Sequence, residues 1–170
     1  MKTKVLILMV AIAMISCGGD KPKNVEVDDS KVTKDNYVIE MDAIYEKNDS
    51  IVFFFEVDGS VKYEYPISLK VTGSPTIQHL SVKMPENVSI ENLTCTVSTN
   101  KDQTKVFIPN ITIKNGDKVI DGSDFKYGQN FLTDESFKWN ESDKNYILTH
   151  TNKYPPGLVG SENLKALLSE

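Results

Sequence analysis

The side chains able to do chemistry are few and far apart. The 170 residues include two cysteines, Cys17 and Cys95, and two histidines, His79 and His150. Structural zinc needs four ligands drawn from thiolates, imidazoles and carboxylates, and two histidines without a usable pair of cysteines make a poor set. His79 and His150 therefore read as strand or loop residues. Cys95 lies in Leu93-Thr94-Cys95-Thr96-Val97-Ser98, where apolar residues alternate with hydroxyls. That period of two places Cys95 with Leu93 and Val97 on the inner face of a strand, whereas a nucleophilic thiol wants exposure and a base. Asp121-Gly122-Ser123-Asp124 offers oxygens to calcium, but the spacing is shorter than that of the Asp-rich calcium loop, and Asp-Gly is first a turn signal. Asp134 and Glu135 could divide acid and base work, yet adjacency among 24 acidic residues does not define a cleft. The expectation is a non-enzymatic protein with no metal and no cofactor.

Aromatic side chains offer binding chemistry instead, because flat rings stack on sugar faces. Tyr63 and Tyr65 are two apart between Gly59 and Pro66, so on a strand they share a face opposite Lys62 and Glu64. Trp139 sits between Lys138 and Asn140 in a polar, loop-like stretch, and Tyr127 and Tyr154 are flanked by turn residues. Tyr63, Tyr65 and Trp139 are the candidates for glycan contact. The competing structural role is to cover the ends of a core while the polar tips find hydrogen bonds.

The elements that must position these groups read mainly as strands. Tyr37, Ile39, Met41, Ala43 and Tyr45 share one parity, and Lys47, Asn48 and Asp49 follow as a turn. The unbroken apolar run Ile51 to Phe55 suggests a central strand covered on both faces. Ile67, Leu69 and Val71 alternate with polar residues until Gly73, Ser74 and Pro75 break the run. Leu80, Val82 and Met84 alternate again; the Leu93 to Val97 strand follows, then Val106 to Ile108, Ile111 and Ile113. Turns are expected at 115–117 and 121–124, and a last strand over Tyr146 to His150. Ser161 can cap a short C-terminal helix with Glu162 in its first turn and Leu164, Leu167 and Leu168 on one face. Short strands with turn chemistry every ten residues or so predict an all-β, antiparallel sandwich, jelly-roll or Ig-like, of seven to nine strands, across residues 35–170.

The N-terminus has a different composition. Lys2 and Lys4 precede an apolar run from Val5 to Ile15, followed abruptly by Ser16, Cys17, Gly18 and Gly19. This is the layout of a secretory signal, and as a helix the run would span ~16 Å, about half of the ~30 Å hydrocarbon core. Residues 17–34 carry only three valines as apolar side chains and read as a flexible tether. Removing residues 1–16 takes two lysines with it, leaving 17 lysines against 24 acids, a net charge of −7. The chain has no arginine and a net negative charge, whereas nucleic-acid binding needs a basic face, which argues against nucleic acid as a partner. With Cys17 modified, Cys95 has no intramolecular disulfide partner.

Met14-Ile15-Ser16-Cys17 resembles the bacterial lipobox, with Met14 where leucine is more usual. The resemblance implies lipid attachment at Cys17, cleavage after Ser16 and durable anchoring, since one acyl chain alone holds only marginally. Gly18 rather than Asp after the cysteine favours the outer membrane over inner-membrane retention, with the periplasmic or surface face left open. Asp49-Ser50-Ile51 resembles the periplasmic O-glycosylation sequon of Bacteroidota, which implies a glycan on Ser50; Ser50 as a plain turn residue is the alternative. Tyr45 to Ser50, Val71 to Pro75 with Gln78, Glu91 to Leu93, Thr99 to Thr104, Phe125 and Tyr154-Pro155-Pro156 together resemble a small β-sandwich module of Bacteroidota envelope proteins. No activity and no catalytic residue come with it. Two function classes follow: a lipid-anchored, non-catalytic module for an envelope protein partner, or a glycan-binding lipoprotein that uses exposed aromatics.

Overall fold

The computed structural model describes residues 35–150 and 153–170. Cys17, the expected signal segment and the expected tether through residue 34 lie outside the described residues.

Among the described residues twelve strands form two antiparallel six-stranded sheets, followed by one α-helix. The strands are β1 (Tyr37–Tyr45), β2 (Asp49–Val57), β3 (Ser60–Val61), β4 (Ile67–Val71), β5 (Ser74–Lys83) and β6 (Asn92–Thr96). They continue with β7 (Lys105–Asn115), β8 (Lys118–Ile120), β9 (Phe131–Thr133), β10 (Phe137–Asn140), β11 (Asn145–Leu148) and β12 (Gly157–Gly160), before α1 (Glu162–Ser169). The first sheet runs β10-β11-β7-β1-β5, with β8 also on β7; the second runs β3-β2-β6-β12-β9, with β4 also on β2.

The β-sandwich is the expected one, with more strands than seven to nine. The additions include pieces of two to four residues, such as β3, β8 and β9, too short for alternation to mark in sequence. Asp58 and Gly59 both adopt positive φ (53° and 68°), the requirement of a tight two-residue hairpin, and so fold β3 back on β2. Tyr146 to His150 is not the last strand. Residues 145–148 form β11 in the first sheet, and β12 follows in the second, between β6 and β9. Gly160 admits β12 so close to β6 because a Cβ there would stand 1.9 Å from Asn92 Oδ1.

Proline falls where the ladder tolerates it. The Ile67 to Val71 run ends before Gly73, Ser74 and Pro75, as the sequence predicts, and Pro75 lies at the start of β5, the edge of the first sheet, where a missing donor costs no ladder bond. Pro109 lies at a bulge in β7: Asp42 faces Asn110 while Ile44 faces Phe107, so β7 carries one extra residue there. The bulge moves the inward parity from Val106 and Ile108 to Ile111 and Ile113, all buried.

Between the sheets lie Ile39, Met41 and Tyr45 of β1, Ile51, Phe53 and Phe55 of β2, Leu93 and Cys95 of β6, and Leu158 of β12, each at most 5% exposed. Burying a side chain of this size contributes ~1.5–3 kcal/mol. Tyr45 resolves its buried hydroxyl by donating to the Val97 carbonyl at 2.7 Å. As the sequence predicts, Ser161 caps α1, accepting from the Leu164 amide, and α1 buries Leu164 and Leu168 against the sandwich.

Candidate functional site

Strand alternation gives each sheet an outer face as well as an inner one. At the centre of the first sheet that face is polar and internally bonded, while Ile77, Val119, Trp139 and Ile147 on its other strands are exposed. Glu40 and Asp42 of β1 project outward; Lys114 donates to Glu40 at 2.8 Å, and Asp42 takes His79 Nδ1 at 2.6 Å and Asn110 Nδ2 at 3.2 Å.

The outer face of the second sheet is built otherwise. Register places Phe54 opposite Thr94, Thr94 opposite Val159, and Val159 opposite Leu132, one row across β2, β6, β12 and β9. Three strand spacings of ~4.8 Å make this row about 14 Å long. Tyr63 extends it at the β2 end, its ring centroid 5.2 Å from that of Phe54. Exposure rises outward: Val159 is 44% exposed, Leu132 61% and Tyr63 64%. Val52 and Thr96, also paired, form a second row beside it. Polar groups rim the patch, with Ser50, Ser68 and Lys70 on one side and the Lys165–Glu56 ion pair (2.7 Å) on the other. β9 ends the sheet, and its far edge has no partner strand among the described residues. An apolar patch with a polar rim is the surface signature of a docking site.

The candidates from sequence scatter over this frame. Tyr63 and Tyr65 are exposed, as glycan contact requires, but they occupy a turn between β3 and β4, not a strand. Trp139 lies in strand β10, not a loop, because β11 pairs with it residue for residue. Its ring meets Phe125 and Tyr146 edge-to-face at 5.6 and 5.0 Å, and its Nε1 donates to Glu141 at 2.5 Å. Trp139 thus stands in the first sheet, while Tyr63 and Tyr65 belong to a connection of the second. Tyr127 is buried, and burial pushes its hydroxyl well above the ordinary range. Tyr154 donates to the Thr99 carbonyl and lies under Lys101.

Ser50 stands in β2 on the outer face, and Asp49 before it begins the strand instead of ending a turn. The reason is that the Asp49 carboxylate is buried as a hub, accepting from Ser98 Oγ at 2.6 Å and from the Thr99 and Asn100 amides at 2.8 and 3.0 Å. Cys95 is inward and buried, and desolvation raises its thiol to about 12, out of reach of nucleophilic chemistry at neutral pH. His150 Nε2 bonds the Gln103 carbonyl. Asp134 accepts from the Ser136 and Gly157 amides, and Asp121 is held below the usual carboxylate range by Lys126, 2.6 Å away. These carboxylates tie turns together. Among the described residues no three His, Cys, Asp or Glu side chains converge as metal ligands, and no helix is long and apolar enough to cross a membrane.

Leu132, Val159, Thr94 and Phe54 went unmarked in the sequence. Phe54 was visible only as part of an apolar run, and no local pattern announces a row assembled from four strands.

The strands define an all-β sandwich protein that carries an exposed apolar row on the outer face of its second sheet. No protein-family model matches the chain, and no curated protein or solved structure matches it significantly.

Proposed function

We propose that this is a lipid-anchored cell-envelope protein that binds a protein partner, without catalysis, through the outer face of its second sheet. The observation that carries this reading is the in-register row Phe54, Thr94, Val159 and Leu132, apolar, exposed at one end and rimmed by polar groups. Anchoring rests on the lipobox resemblance at Met14 to Cys17, which also supports a Bacteroidota-type lipoprotein directed to the outer membrane. Glycan binding by Tyr63, Tyr65 and Trp139 is the weaker alternative, since the three rings stand on different sheets and Trp139 is engaged by its neighbours.

The test is a quantitative crosslinking pull-down from native membranes with the wild-type chain and the double variant L132E/V159E. A partner recovered with the wild type and lost with the variant, at equal expression and melting temperature, supports the reading. Equal recovery from both refutes it. Cys17→Ser tests the anchor separately: the product should leave the detergent phase, and unchanged partition contradicts lipidation.

A further inference from the structure

A cleft of about 600 Å³ opens at one end of the first sheet, where the end of β1, the start of β5 and the start of β7 meet the β10–β11 hairpin. That size is within the ~300–1,000 Å³ of small-molecule sites. Its lining includes the apolar Ile44, Pro75 and Phe107, and Ile44 and Phe107 are direct partners across β1 and β7. On the rim Lys105 is neutralised by Glu46 at 3.2 Å. Asp143, in the hairpin turn, spends one oxygen on Asn140 Nδ2 at 3.0 Å.

Asn145 sets this cleft apart. It lines the cleft, is only 8% exposed, and its Oδ1 is buried without a hydrogen-bond partner. Among the described residues its amide makes no side-chain hydrogen bond at all. Unspent buried polar groups are costly and rare in folded proteins, and an amide lining an open cleft can meet a partner there through Nδ2 or, after a turn about χ2, through Oδ1. A primary amide presents an acceptor and two donors, and neighbouring hydroxyls, each both donor and acceptor, complement it. A wholly apolar ligand would leave the amide unspent. A sugar ring satisfies both parts, with its C–H face toward the apolar lining and its hydroxyls toward the amide and the Asp143 carboxylate.

We propose that this cleft is a saccharide-binding site, with the ring laid against Ile44, Pro75 and Phe107 and its hydroxyls held by Asn145 and Asp143. It shares no residue with the row on the second sheet, so the two sites can be tested apart.

The experiment presents the full-length lipidated protein, in detergent micelles, to an array of defined neutral oligosaccharides and titrates the hits by calorimetry. N145L keeps the number and branching of the side-chain heavy atoms and removes the unspent amide; it is expected to melt no lower than the wild type while binding weakens roughly tenfold or more. D143A, on an exposed turn, should weaken binding by a smaller factor, and L132E/V159E should leave it unchanged. No hit on the array, or wild-type affinity in N145L, overturns the proposal. If N145L melts lower, D143A decides, and wild-type affinity in that variant overturns it.

Discussion

At the middle of the first sheet's outer face, Asp42 stands between His79 and Asn110 and is bonded to both. In the second sheet Val159 stands between Thr94 and Leu132, and none of the three offers the others a polar bond through the strand face. The centre of one surface is finished by its own side chains; the other carries an in-register apolar row that water covers poorly. Both sheets bury their inner faces equally well, so the difference does not come from packing the core. Folding accounts for the inner faces of both sheets and for the bonded centre of one outer face; the row on the second sheet is the surface proposed for association.

The sharpest way to break this comparison is to mutate neighbours of opposite orientation in β12. Leu158→Ala, on the inner face at 0% exposed, should cost ~2–5 kcal/mol in urea unfolding. Val159→Glu, the next residue, should fall within ~0.5 kcal/mol of wild type. Similar losses from both would mean that the row is structural. Asp49→Ala should come next, at ~1.5–3 kcal/mol, because it orphans the Ser98 hydroxyl and two amides at a buried carboxylate.

The core can also be probed by pH. Burial raises Cys95 from 9.0 to about 12, and Tyr45 and Tyr127 are raised from 10.0 as well. The unfolded chain therefore loses these protons first. Stability should be level below about pH 9 and then fall by about 1.4 kcal/mol per pH unit for each group until the folded pKa is reached. A Cys95→Ala background should remove the thiol's share of that slope, while native protein stays inert to a thiol reagent at pH 8. The smallest effect belongs to the finished centre of the first sheet's outer face. Asp42→Ala should cost under ~1 kcal/mol, as exposed pairs do, and leave partner recovery unchanged.

Local chemistry was legible in the sequence and long-range register was not. The parity of Tyr37 to Tyr45, the inward Cys95 and the Ser161 cap all depend on residues within a few positions, and all stand as read. β12 was missed because Gly157-Leu158-Val159-Gly160 is four residues long, too short for alternation to show. Tyr63 and Tyr65 were placed on a strand because their spacing fits one, yet the chain turns there after only two residues of β3. Trp139 looked loop-bound because its neighbours are polar; pairing with Tyr146 made it a strand residue. The row itself joins residues up to 105 positions apart, from Phe54 to Val159, and exists only once β6 and β12 lie side by side.

The most direct test of the docking face is a photo-crosslinking side chain placed at Leu132 and, in a parallel chain, at the exposed Ser81 on the outer face of the first sheet, each expressed in the native envelope. A discrete protein adduct from position 132 and none from position 81 is the expected result. Adducts of the same size and yield from both positions, or none from position 132, would contradict the assignment.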